Sequence, residues 1–95
     1  MSITEQDIEQ AFPLATNIRQ IGEKQLFLFE LSARLVLCSY KTVVAIKEHD
    51  QWKITPYKYS ATTTRQINQF MHCRDAVTVP ETEWLELLEA LNITQ

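Results

Sequence analysis

Apolar residues recur along this chain at helical spacing, then at strand spacing, then at helical spacing again. Ile8, Ala11 and Phe12 fall at i, i+3 and i+4 between a capping Ser2 or Thr4 and Pro13, which predicts a short helix. Glu5, Asp7 and Glu9 suit the positive end of its dipole. From Leu14 the period changes, and Ile18 and Ile21 lead into Gly22-Glu23-Lys24, read as a turn. QLFLFEL (25–31) is apolar on both faces and reads as a central strand. Leu31-Ser32-Ala33 is the expected reversal into ARLVLCSYKTVVAIKE. In that run Val36, Cys38, Tyr40, Thr42, Val44 and Ile46 share one face if the strand is unbroken. Two paired strands meeting near Ser39–Lys41 fit equally. His49-Asp50 then divides it from QWKIT, where Trp52 and Ile54 share a face, and a hairpin without a turn glycine is expected.

Pro56 closes that strand. Thr63 or Thr64, Ile67, Phe70 and Met71 then form an apolar stripe at helical spacing, with Ser60 or Thr62 as the cap. The last helix is the clearest element: Pro80, Glu81 and Glu83 favour its first turn, and Trp84, Leu87, Leu88 and Leu91 make its apolar face. Residues 1–95 show no linker or repeat. The order of elements predicts one α+β domain, a small antiparallel sheet of about four to five hairpin-connected strands carrying two to three packed helices.

Composition adds bounds. With 95 residues, the chain can bury enough surface to fold without a disulfide or metal staple. Its opening, MSITEQDIEQ, lacks the basic and apolar regions of a signal peptide, and no stretch is long enough to span a membrane. Cys38 and Cys73 read as reduced thiols, so a cytoplasmic protein is expected. The net charge of −3 hides a segregation: residues 1–39 carry −2, residues 40–74 carry +4, and the remainder carries −5. A basic middle between acidic ends suits a charged partner, unless the ends fold back over it.

Three stretches bear on chemistry. YSATTTRQI places Ser60, Thr62, Thr63, Thr64 and Arg65 at a helix start, where unpaired N–H groups and the dipole attract anions. With Lys58 this is either a phosphate cup or a hydroxyl-rich cap. QWKITPYKYS interleaves Trp52, Tyr57 and Tyr59 with Lys53 and Lys58, the mixture that stacks on bases and pairs with phosphates; core or cross-strand aromatics are the plainer reading. Glu83, Glu86 and Glu89 lie on one flank of the last helix, a solvated face open to a basic partner. His72-Cys73 with His49 and Cys38 lacks the close ligand pairs of a zinc site, and adjacency alone makes no nucleophile–base pair. Neither a cofactor, a metal nor an enzymatic activity is expected.

SYKTVVAIK and KYSATTTRQIN together resemble a small family of phage and prophage proteins with the pattern SYxTxVA … YSxTTxxHI. The correspondence spans roughly residues 39–70 and falls on Ser39, Tyr40, Thr42, Val44, Ala45, Tyr59, Ser60, Thr62 and Thr63, with Gln66 where those relatives carry histidine. The resemblance implies a mobile-element accessory protein that works by binding a host or phage protein, including inhibition of a defence complex of the CRISPR type. The expected function is therefore non-enzymatic protein binding. The alternative is a single-stranded nucleic-acid or phosphate-binding module built on strand 52–59 and the helix start at 60–65.

Overall fold

The computed structural model describes residues 3–21 and 25–93. The predicted turn at Gly22–Lys24 and the alternative cap Ser2 lie outside them. Helix α1 (Glu5–Ala11) opens on Thr4, whose backbone N–H donates to Asp7 Oδ2 at 2.8 Å while its hydroxyl accepts from the Asp7 N–H at 3.3 Å. This reciprocal pair satisfies two donors at the helix start. The backbone N–H at Thr4 also holds the Asp7 carboxyl below its ordinary value.

Strands β1 (Thr16–Ile21), β2 (Leu26–Leu31), β3 (Arg34–Ser39), β4 (Thr42–Glu48) and β5 (Gln51–Ile54) form an antiparallel meander in chain order. Helix α2 (Ala61–Met71) then crosses over the sheet and returns the chain as β6 (Ala76–Thr78), which pairs parallel to β5. Helix α3 (Glu81–Ala90) follows. The protein is thus α+β, with three helices and a mixed six-stranded sheet, larger than the four or five hairpin-connected strands expected. The extra strand has only three residues, too few to show a period of two, and parallel pairing requires the crossover that α2 supplies.

Both faces of the sheet are covered. Phe27, Phe29, Leu31, Val36, Cys38, Val43 and Ile46 meet Ile8 and Phe12 at α1 and Trp84, Leu87 and Leu88 on α3. The rings of Phe12 and Phe29 lie 5.1 Å apart. Leu26, Leu28, Leu37, Val44, Ala45 and Trp52 meet Ile67 and Met71 of α2 on the opposite face. This explains why QLFLFEL does not alternate: a strand covered on both sides has no water-facing row. The 34–48 run is broken into β3 and β4. Leu37 pairs with Ala45 but Cys38 with Val43, so Val44 is an extra residue in β4. That bulge lets Val43 and Ile46 face one layer and Val44 and Ala45 the other.

The β2–β3, β3–β4 and β4–β5 hairpins turn without glycine. Ser32 and Ala33 adopt φ 51° and 63°, Tyr40 58°, and His49 and Asp50 53° and 64°. Left-handed backbone follows the strand twist in tight hairpins, and it costs about 1–2 kcal/mol for a residue with a Cβ. Ala33 has no polar side chain to offset that cost. Ala33→Gly is therefore expected to raise unfolding stability by about 0.5–1 kcal/mol, read as a shifted denaturant midpoint at unchanged slope. An unchanged or lowered midpoint would show that Ala33 carries no such strain.

Candidate functional site

Helix α2 is the element to which the threonine-rich stretch belongs. Ser60 is its cap, its hydroxyl accepting from the Thr63 N–H at 3.2 Å, and the Thr64 N–H bonds the Ser60 carbonyl at 3.0 Å. The helix buries Thr63, Gln66, Ile67 and Met71 against the sheet and turns Thr62, Thr64 and Arg65 to water. The serine and threonine hydroxyls of YSATTTRQI consequently diverge: one caps, one is interior, two are outside. A phosphate cup needing all of them together is not present.

The interior hydroxyl belongs to a polar seam between α2 and β3. Ser39 Oγ lies 3.4 Å from Thr63 Oγ1 and donates to Gln66 Oε1 at 3.1 Å, while Ser60 Oγ donates to Thr63 Oγ1 at 3.1 Å. Gln66 Nε2 is buried without a hydrogen-bond partner. The N-terminal half of α2 thus rests on hydroxyls and an amide, and its C-terminal half on Ile67, Phe70 and Met71. Gln66 offers these hydroxyls no general base, because an amide cannot take up a proton at neutral pH.

The outer flank of α2 forms a groove of about 730 Å³ lined by Lys58, Tyr59, Ala61, Thr64, Arg65, Asn68, Gln69 and His72. It runs from the segment before the helix to its C-cap. Four residues singled out from sequence come together there: Lys58, Tyr59, Thr64 and Arg65. Asn68, Gln69 and His72 were missed, although their spacing from Arg65 at i+3, i+4 and i+7 places them on its face. The groove holds two full cations and no carboxylate.

The rest of strand 52–59 does not join it. Trp52 is only 4% exposed, its ring edge-on to Phe70 at 5.2 Å, so it is a core residue rather than a stacking surface. Lys53 is held by Glu48 at 3.1 Å and Glu83 at 3.0 Å, and Glu48 also accepts from Arg34 Nε at 3.0 Å. Glu83 is therefore a structural tie from α3 to β5, not part of a purely solvated flank; Glu86 and Glu89 are exposed. Tyr57 turns towards the start of α3, where partial burial and the Glu81 carboxylate raise its hydroxyl above the ordinary value. Lys53 hydrogen bonds to Glu83 and Glu48 raise the Lys53 ammonium, and the same bond from Lys53 leads the lowering of Glu48. Arg74 folds back over the Phe70 ring, 4.2 Å from its centroid.

Cys38 lies in the core, where burial pushes its thiol up to about 12 and leaves it unreactive at neutral pH. Cys73 is exposed and His49 sits in a hairpin turn. Among the described residues, no three His, Cys, Asp or Glu side chains are grouped to hold a metal ion, and no helix is long and apolar enough to cross a membrane.

These features define an α+β protein with a cationic groove on a crossover helix. The chain belongs to the family of unknown function DUF8033, which matches residues 4–86. No curated protein and no solved structure matches it.

Two outcomes follow from this geometry. Gln66→Met removes an unpartnered amide, and Ser39 can turn its hydroxyl to Thr63, so unfolding stability should rise by about 1 kcal/mol. A loss of similar size would mean that the amide is satisfied by a buried water. For Glu48, the carboxyl is depressed in the folded state, so its contribution is full above its ordinary value of 4.5 and fades as pH falls through the folded value. Glu48→Gln should cost about 1 kcal/mol at pH 7 and progressively less on acidification below 4.5, measured by urea titration at several pH values. A pH-independent difference would sink the assignment.

Proposed function

We propose that this protein is a non-enzymatic binding domain that takes an acidic segment of a partner protein in the groove along α2. The observation that carries the reading is the lining itself. Lys58 and Arg65 face the recess with no carboxylate to neutralise them, and the other polar groups there, from Thr64, Asn68, Gln69 and His72, suit a peptide's hydrogen-bonding atoms. Tyr59, 42% exposed, and Ala61 supply apolar contact beside the charges. Such a recess discriminates by charge and shape without altering its ligand.

Two features support a non-catalytic role. The buried hydroxyls of Ser39 and Thr63 lie beside an amide rather than a base, and the Cys38 thiol is held protonated. The resemblance of the 39–70 core to phage and prophage proteins adds a setting, in which the partner is a host protein and binding inhibits it.

A nucleic-acid reading rests on one specific observation, the exposed Tyr59 ring beside Lys58 and Arg65. It is the weaker of the two. Trp52 and Lys53 are committed to the fold, which leaves fewer rings and cations than single-strand binding employs, and the net charge is −3.

Fluorescence anisotropy with a labelled Glu-rich peptide and with single-stranded DNA and RNA separates the readings. The peptide is expected to bind, with affinity reduced about tenfold or more in Lys58→Ala/Arg65→Ala, since each charge-assisted contact contributes roughly 1 kcal/mol. Absence of peptide binding at low salt defeats the proposal. Tight oligonucleotide binding with a steep salt dependence would replace it with the second reading.

A further inference from the structure

The chain carries a surface complementary to its own groove. On α3, the side opposite the core presents Leu85, 46% exposed, with Glu86 and Glu89 exposed beside it. Leu85 and Glu89 are four apart and Glu86 and Glu89 three apart, so the three sit on neighbouring turns as an apolar knob flanked by two carboxylates. Glu83 is excluded from this face, being tied to Lys53 at 3.0 Å. The groove along α2 has the inverse pattern: Tyr59 and Ala61 as apolar lining, Lys58 and Arg65 as cations, and no acid.

We infer that the acidic segment the groove accepts is the outer face of α3 from a second copy of this chain. This inference rests on the reading of the groove as a site for an acidic protein segment, and it names the partner. Helix α3 covers one face of the sheet and α2 the other, so knob and groove cannot meet within one molecule. Their placement on opposite faces also sets the kind of assembly. A two-fold pair needs the same patch on both partners, whereas a knob on one face and a groove on the other give a head-to-tail contact that leaves a free knob and a free groove at the ends. Association therefore continues with concentration until a ring closes, instead of stopping at a dimer. Exposed charge pairs are individually weak and salt-sensitive, so the self-association is expected at high protein concentration and low ionic strength.

Sedimentation velocity on the whole chain tests this, with two charge-reversal variants that leave the core untouched. Lys58→Glu/Arg65→Glu disables the groove and keeps the knob; Glu86→Lys/Glu89→Lys disables the knob and keeps the groove. The wild-type mass should grow from micromolar to millimolar concentration and shrink on adding salt. Each variant alone should associate about tenfold or more weakly, two exposed pairs being reversed in each. An equimolar mixture of the two should associate again as the wild type does, because the intact knob of one meets the intact groove of the other and the two reversed surfaces, acidic groove and basic knob, are themselves complementary. A wild type that stays monomeric throughout, or variants that assemble alone as the wild type does, would overturn the inference. Peptide anisotropy on the same samples keeps the two failures apart. A monomeric wild type that still binds the Glu-rich peptide loses the second copy and retains the groove reading, while one that does neither loses both.

Discussion

Strands β2, β3 and β4 bear apolar side chains on both faces, so neither face can be left to water. Everything else in the fold answers that constraint. Phe27, Phe29, Val36 and Ile46 on one side require the pair α1 and α3, and Leu28, Leu37 and Ala45 on the other require α2. Fully burying one such side chain contributes about 1.5–3 kcal/mol, so an uncovered face would forfeit much of a small domain's stability. The bulge at Val44 belongs to the same logic, since it distributes four consecutive apolar residues of β4 between both layers.

Covering the second face with a single helix determines where the groove lies. A lone helix on a sheet leaves its outer flank without neighbours, and the segment 56–60 laid before α2 turns that flank into a recess. On the other face α1 and α3 share the covering, and Lys53 ties α3 back to the sheet through Glu83. Four cations of the basic middle accordingly divide by place. Lys53 is consumed by the fold, Arg74 lies on Phe70, and Lys58 and Arg65 remain to line the groove.

Much of this architecture was legible from residue order. The α3 stripe Trp84, Leu87, Leu88 and Leu91 is buried as its spacing implies, and QLFLFEL is the doubly covered strand its composition suggests. The hairpin at His49-Asp50 forms without glycine because both residues accept positive φ. What escaped was set by distant partners. Strand β6 is three residues whose pairing depends on a neighbour more than twenty positions earlier, so nothing local marks it. Trp52 could have served either surface or core until Phe70 closed over it. Gln66 is polar, and nothing in its own segment marks it as buried; Ser39, 27 positions away, draws it inside. The candidate groove was half visible: Arg65 and Thr64 stood out as chemistry, while Asn68, Gln69 and His72 become meaningful only once the helix is known to be unaccompanied on that side.

The two sides of α2 answer to different demands. Its inner residues, Thr63, Gln66, Ile67 and Met71, are answerable to the sheet; Ala61, Thr64, Arg65, Asn68 and His72 are exposed and line the recess. Substitutions in the second set alter the charge and shape of the groove while leaving the packing that supports it intact. Packing and the chemistry of the outer surface are thereby assigned to separate residues of one short helix.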